Sequence, residues 1–195
     1  MKKHNYLLLM FFILLSCKSQ NSELYKFDPA KLEENKFTLS DIAEDISYIP
    51  LDNSFPINGI YIPVFFYDNT VCLSALSSGV MTFDRTGKFL RKIGSIGRGP
   101  GEYNNYYNFT IDEKSETVYV LDEKVVKVYS KSGNFLRSIP LNKFGGSVDA
   151  INFSDSKLFL TYSVQFDDTR YDLIVLDSLG NLIKKDRKSV VRERV

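Results

Sequence analysis

Beyond residue 46 the chain is organised in short runs of alternating apolar and polar residues, with no long stretch at helical spacing. Ile62 to Tyr67, Thr70 to Leu76, Asn108 to Asp112, Thr117 to Asp122, Ala150 to Phe153 and Lys157 to Tyr162 have the length and period of half-buried strands. They fall into three pairs, joined by Asp68-Asn69, by Glu113 to Glu116 and by Ser154 to Ser156. Behind each pair lies a further segment with the same internal order: a strand, a polar turn closing on glycine, then an apolar pair and a basic residue. The three copies align without gaps as Val80 to Lys92, Val126 to Ser138 and Leu173 to Lys185, with Gly87, Gly133 and Gly180 in register. The first strand of each copy ends in Phe83, Tyr129 or Leu176, and its second carries Phe89-Leu90-Arg91, Phe135-Leu136-Arg137 or Leu182-Ile183-Lys184. Glycine suits the turn because it adopts positive φ without steric cost.

Four short strands in a period of about 46 residues match one blade of a β-propeller. A β-sandwich would account for the alternation but not for a repeat that stays in register. The expected fold is therefore all-β: a partial propeller over residues 37–186, with about three four-stranded blades at 60–100, 104–146 and 148–186. Closed propellers usually need about four to eight blades. The pattern also changes at the end. Asp186 stands where the first two copies have Ile93 and Ile139, and a basic tail, Arg187 to Val195, follows. The expectation is a truncated or frame-shifted gene product whose residues 187–195 are non-native, the alternative being a half-propeller that dimerises. Leu173, Val175, Leu182 and Ile183 should then line a flank left for another blade.

The first residues form a different pattern. Lys2 and Lys3 precede an unbroken apolar run from Tyr6 to Leu15, then Ser16 and Cys17. The run is too short to span a bilayer, which takes roughly 20 apolar residues, and it has the layout of a secretory signal. Leu14-Leu15-Ser16-Cys17 resembles the lipobox of bacterial lipoproteins. That resemblance implies cleavage after residue 16, lipidation of Cys17, and a polar tether over 17–36. In the tether, Asp28 to Asn35 is either a short helix with Pro29 in its first turn or unstructured. Lys18 after the cysteine resembles the sorting context of outer-membrane lipoproteins.

Removing residues 1–16 changes the chemistry available. The 25 basic residues lose Lys2 and Lys3, leaving a near-even balance with 24 acidic ones. This gives no electrostatic footprint for nucleic acid. The single histidine, His4, leaves with the signal, so a Ser-His-Asp triad, a Cys-His pair and His-ligated metal sites are excluded. Cys72, inside Thr70-Val71-Cys72-Leu73, reads as a buried strand thiol. Fifteen Phe and twelve Tyr with no Trp fit a strand-rich chain.

One loop stands out: Gly94-Ser95-Ile96-Gly97-Arg98-Gly99-Pro100-Gly101-Glu102-Tyr103. Phosphate binding would need a helix opening directly after the glycines, and Pro100 and the residues that follow do not form one. The loop resembles the glycine-rich signature of NHL-type propeller repeats. Together with Phe37 to Ile42 and Ile46 to Leu51, it makes the chain resemble the six-bladed β-propeller lipoproteins of Bacteroides-type bacteria, with NHL-like or TolB-like repeats. The resemblance implies six blades and a tight link between one blade's outer strand and the next blade's inner strand.

The expected function is that of a lipid-anchored envelope protein, on the outer membrane, with a non-catalytic propeller. Its partners would be the membrane, through the anchor, and a glycan, peptide or protein ligand, with no cofactor and no metal. Arg98, Glu102 and Tyr103 are the candidate binding residues, and Cys17 is the lipidation site. The alternative is an NHL-like lyase or hydrolase whose catalytic residues lie in further blades. Asp68, Asp112 and Asp155 recur near the ends of the first strands and could be imagined as a calcium or acid/base set, but turn-forming aspartate is the favoured reading.

Overall fold

A computed structural model describes residues 28, 30, 38–55, 57–145, 147–162 and 171–187. The signal segment, Cys17, most of the 17–36 tether and residues 188–195 of the tail lie outside the described residues. The chain divides into two compact units, Met1–Ile46 and Ser47–Val195. In the first, the Asp28 carboxylate accepts the Ala30 N–H at 3.2 Å. One 3-10 turn, Leu39–Asp41, is held by the Asp41 carboxylate, which accepts the Thr38 N–H at 2.7 Å and the Thr38 hydroxyl at 2.9 Å.

The second unit is a partial propeller of three blades. Each is a four-stranded antiparallel sheet, and in each the strands pair in chain order. The first blade is β1 (Ile60–Tyr67), β2 (Thr70–Ala75), β3 (Gly79–Asp84) and β4 (Phe89–Ile93). A two-stranded parallel link follows, β5 (Ser95–Ile96) with β6 (Glu102–Tyr103). The second blade is β7 (Phe109–Asp112), β8 (Thr117–Asp122), β9 (Val125–Ser130) and β10 (Phe135–Pro140). The third is β11 (Val148–Ser154), β12 (Lys157–Tyr162), β13 (Tyr171–Asp177) and β14 (Leu182–Arg187). The strand limits read from alternation hold to within about two residues. The first strands start earlier, at Ile60 and Val148, and β7 one residue later, at Phe109, than the pattern alone indicates.

The three aligned glycines do the same job. Gly87, Gly133 and Gly180 have φ of 86°, 87° and 92°. In each hairpin the glycine N–H donates to the carbonyl three residues back, of Asp84, Ser130 or Asp177. The N–H of that same residue donates to the carbonyl just after the glycine. This is a type I turn closed by a bulge on a positive-φ residue, and the register slips by one beside it in all three blades. Side chains reinforce it: Asp84 Oδ1 accepts the Thr86 and Lys88 N–H groups, and Asp177 Oδ1 accepts those of Leu179 and Asn181. Hydrogen bonds from the Thr86 hydroxyl and the Asn181 amide hold these two carboxyls below the usual range.

Adjacent blades pack through equivalent faces. Between the first and second, Cys72, Val80 and Ile93 meet Phe109, Ile111, Val118, Val120 and Tyr129. Between the second and third, Tyr119, Leu121, Val126, Val128 and Ile139 meet Ile151, Leu158, Leu160, Ile174 and Leu176. Strand alternation explains the pattern: Val118 and Val120 face back towards the first blade, and Tyr119 and Leu121 face forward to the third. The turn glycines are the seams. The Gly94 N–H donates to the Gly133 carbonyl at 3.1 Å, Arg91 reaches the Lys131 carbonyl at 3.3 Å, and Arg137 reaches the Ser178 carbonyl at 2.5 Å. Leu182 and Ile183 are exposed, but Leu182 pairs with Leu176, which packs on the second blade, so it does not line the far flank as expected; Val175, which alternates with Ile174 and Leu176 and so faces that flank, is buried at 6%.

Candidate functional site

The glycine-rich segment between the first two blades folds around its own acid. β5 and β6 bring Gly97 to Tyr103, where the Gly97 N–H donates to the Tyr103 carbonyl at 3.0 Å. The Glu102 N–H donates to the Gly99 carbonyl at 3.0 Å, and the Glu102 carboxylate accepts the Gly99 N–H at 2.8 Å. A Cβ on Gly97 would lie 2.0 Å from that carboxylate, so glycine is required for Glu102 to enter the loop. An internal carboxylate thus takes up the loop amide that an outside anion would seek.

The three loop residues named from sequence go separate ways. Arg98 is exposed at the tip. Glu102 staples the loop. Tyr103 turns into the core at 1% exposure, where its hydroxyl donates to the Ile93 carbonyl at 2.7 Å and accepts the Val80 N–H at 3.0 Å. Its ring fits because Gly79 and Gly94 carry no side chain: a Cβ on either would lie within 3 Å of it. Burial pushes its phenol pKa upward. Tyr103 therefore holds the first blade to the second and offers a ligand no surface. A buried pair anchors the loop from the second blade. Lys127 Nζ lies 3.4 Å from the Asp122 carboxylate and donates to the Glu102 carbonyl, while Asp122 Oδ1 accepts the Asn104 and Asn105 N–H groups at 3.1 and 3.0 Å.

From Tyr103 an aromatic ladder runs to the surface. Phe135 and Tyr129 stand 5.8 Å apart, Tyr129 and Tyr103 5.9 Å, Tyr103 and Tyr106 5.5 Å, Tyr106 and Tyr107 5.1 Å, and Tyr107 and Tyr61 4.3 Å between ring centroids. The inner rungs are buried, and the Tyr106 hydroxyl accepts the Ser77 N–H at 3.1 Å. The outer end opens: Tyr107 is 42% exposed and Ile60 48%. Tyr61 is half-buried, and its phenol pKa is raised by partial desolvation and by Tyr107 beside it. This end sits where the blades' first strands converge. The Asn108 side chain donates to the Asp149 carbonyl at 2.5 Å, and the Phe153 N–H to the Thr110 hydroxyl at 3.0 Å, tying β7 to β11. The exposed Tyr107 ring, tilted at 50° to Tyr61, offers a face for stacking, and the Asn105 side chain beside it accepts the Tyr107 N–H at 3.4 Å. Tyr61 and Tyr107 carry no motif in the sequence; their one signal is an aromatic at the start of one first strand and just ahead of the next.

The three recurring aspartates do not converge. Asp68 and Asp155 each occupy a turn with φ of 48°, and Asp112 accepts the Lys114 N–H at 3.1 Å and the Ser115 hydroxyl at 2.5 Å. Asp112 and Asp155 line one small cleft between blades, of about 210 Å³. Asp68 lines another with Arg91, Glu116 and Lys131. Among the described residues no group of three acidic, Cys or His side chains could hold a metal ion. Cys72 is fully buried in β2, and burial pushes its thiol pKa up, which keeps it protonated and unreactive.

The family described as Domain of unknown function (DUF4934) matches residues 24–193. No curated protein matches the chain. Among solved structures, a Bacteroides fragilis NCTC 9343 protein assigned as exported superposes with a TM-score of 0.60 at 21% identity, over 74% of this chain and 42% of that one. The chain thus spans about two fifths of that structure's length, and the two share a fold. A chain of the nidogen/laminin complex and the WD40 repeats of RRP9 each superpose with a TM-score of 0.44 at 13% identity. Both cover 62% of this chain, and 43% and 36% of their own.

Proposed function

The chain belongs to the DUF4934 family, and from that premise we propose that it is a cell-envelope lipoprotein whose propeller binds an envelope glycan without catalysis. The observation that carries the binding reading is the Tyr61–Tyr107 pair, exposed at Tyr107 and half-buried at Tyr61. Sugar faces stack on exposed phenol rings, and the neighbouring Asn105 amide supplies a neutral hydrogen-bonding group. The buried ladder behind the pair, fixed by the hydrogen bonds of Tyr103 and Tyr106, presets the ring geometry and lowers the ordering cost of binding. Export to the envelope is supported by the signal-like first sixteen residues, by the lipobox ending at Cys17, and by the assignment of the Bacteroides fragilis neighbour as exported. The resemblance of Gly94–Tyr103, Phe37–Ile42 and Ile46–Leu51 to six-bladed propeller lipoproteins supports an intact propeller of six blades. The mature chain has no imidazole, and its recurrent aspartates are engaged in turns, which supports binding over catalysis.

The test has two arms. Cells producing the chain and supplied with a labelled fatty acid should label the wild type in the envelope fraction, whereas Cys17→Ala should be unlabelled and leave that fraction. The purified protein should be retained on insoluble cell-wall polysaccharide, and Tyr107→Ala should weaken retention at least about tenfold, equivalent to about 1.4 kcal/mol. Equal labelling of wild type and Cys17→Ala would refute the anchor, and equal retention of wild type and Tyr107→Ala would refute the site.

A further inference from the structure

The flank of the first blade that faces away from the second is built as an interface, and one strand of its missing neighbour is already in place. At the seam between the first two blades, the Gly94 N–H donates to the Gly133 carbonyl, and a Cβ on Gly133 would lie 2.4 Å from the Lys92 carbonyl oxygen. At the outer side of the first blade the same contacts recur. The Asp52 N–H donates to the Gly87 carbonyl at 2.8 Å, and a Cβ on Gly87 would lie 1.9 Å from the Pro50 carbonyl oxygen. Pro50 and Asp52 therefore take the places of Lys92 and Gly94, which puts Leu51 where Ile93 closes the first blade's outer strand. Burial alternates there as in a strand, with Tyr48 and Pro50 exposed and Ile49 and Leu51 half-buried. Ile49 and Leu51 pack on Val71, Leu73, Met81 and Phe83, as Ile139 packs on Leu158, Leu160, Ile174 and Leu176.

What this flank lacks is equally specific. The third blade is covered by Tyr119 and Leu121 of β8 and Val126 and Val128 of β9, besides Ile139 of the outer strand. On the first blade, among the described residues, Ile49 and Leu51 fill the outer-strand position and Phe55 and Ile57 pack beside them, but no counterparts of the β8 and β9 side chains are in place. Phe66 and Ile111 pair with Val71 and Val118 at matching points of their blades, yet Ile111 is 5% exposed and Phe66 54%. A groove of about 410 Å³, lined by Ile49, Leu51, Val64, Phe66, Val71 and Leu73, remains where β8- and β9-like side chains would lie.

We propose that Ser47–Asp52 is the outermost strand of a further blade, and that the groove receives a three-stranded antiparallel sheet that lacks its own outer strand. The occupant's two strands nearest Ser47–Asp52 present apolar residues at alternate positions towards Val64, Phe66, Val71 and Leu73. The finished seam between the first two blades, whose backbone contacts recur here, identifies this occupant, and the solved neighbour, of which the chain covers 42%, is a longer chain. A second copy of this chain does not meet the requirement, because its third blade already carries β14 as outer strand.

The test supplies such a sheet in order. A copy of residues 104–134, which holds β7 to β9, is inserted between Ile46 and Ser47 of the full chain, so that Ser47–Asp52 follows it as β10 follows β9 and Leu51 stands six residues after the inserted glycine, as Ile139 does after Gly133. Phe66→Cys is placed in both the parent and the extended chain, each also carrying Cys17→Ser, and its reaction with a thiol reagent is timed; Cys72 is buried. The extended chain should react at least tenfold more slowly than the parent. Replacing the inserted counterparts of Tyr119 and Val128 with lysine should restore the fast reaction. Equal rates in parent and extended chains would overturn the proposal, as would slow reaction that survives the lysine replacements. A parent chain that sediments as a dimer with the Phe66→Cys thiol protected would also overturn it, assigning the groove to a second copy.

Discussion

Gly133→Ala measures what holds one blade to the next. Gly133 has φ of 87°, and forcing an L-residue into that left-handed region costs about 1–2 kcal/mol. The new methyl would also lie 2.4 Å from the Lys92 carbonyl oxygen, a backbone atom of the preceding blade that cannot swing away. Relieving that overlap moves the turn off the seam and breaks the 3.1 Å hydrogen bond from the Gly94 N–H to the Gly133 carbonyl, a loss of about 1 kcal/mol. The sum is about 2–3 kcal/mol. Gly59→Ala is the internal control: its φ lies outside the left-handed region and only Leu76 Cβ, 4.0 Å away, meets its Cβ position, so the change should shift stability by less than about 1 kcal/mol. Urea unfolding followed by circular dichroism reads both. With a slope of about 2 kcal/mol per molar, Gly133→Ala should lower the midpoint by about 1–1.5 M, and Gly59→Ala by less than about 0.5 M. Equal midpoints for the two variants would refute the claim that the turn glycines carry the seam.

Tyr103→Phe removes a buried hydroxyl that both donates and accepts, orphaning the Ile93 carbonyl and the Val80 N–H, and should cost about 2–4 kcal/mol in the same unfolding assay while leaving glycan retention of the folded protein unchanged. Asp122→Ala strips Lys127 of its carboxylate partner and frees the Asn104 and Asn105 amides; it should destabilise by about 3–5 kcal/mol and speed hydrogen exchange across the 97–105 loop. Burial raises the phenol pKa of Tyr67 and Tyr162 from 10.0 to about 12. The folded state therefore holds these protons more tightly than the unfolded one, so stability is intact below pH 10 and falls as pH rises from about 10 to 12. Tyrosine ionisation at 295 nm should accordingly show a late phase that coincides with loss of the strand signal in circular dichroism.

The repeat was legible because three different physical demands coincide in each copy: period-two alternation, a turn needing positive φ, and a basic residue after the apolar pair. Gly87, Gly133 and Gly180 follow from that coincidence, and so does the blade order. Arg91 and Arg137 were visible only as repeated charges; that each grips the next blade's turn carbonyl depends on how the sheets stack, which lies outside any local pattern. The glycine-rich loop misled in a different way. Its composition suggested a binding residue at Tyr103, but the glycines at 79 and 94 make room for that ring in the core, and those at 97 and 99 accommodate Glu102. Tyr61 and Tyr107 lie 46 positions apart, and only the juxtaposition of β1 with the segment entering β7 brings their rings to 4.3 Å. The role of Ile49 to Asp52 was hidden for the same reason: its partner is the turn at Gly87, some 35 residues further along the chain.

The binding claim is tested most directly by nuclear magnetic resonance of the protein with isotope-labelled tyrosine rings, each assigned by a single Tyr→Phe change, during titration with soluble envelope polysaccharide fragments. The account predicts saturable shifts of the Tyr61 and Tyr107 ring signals, a smaller shift at Tyr106, and stationary signals from Tyr119 and Tyr162, which are buried away from the ladder. Shifts confined to other tyrosines, or none at saturating concentrations of fragments that the intact protein retains, would contradict it.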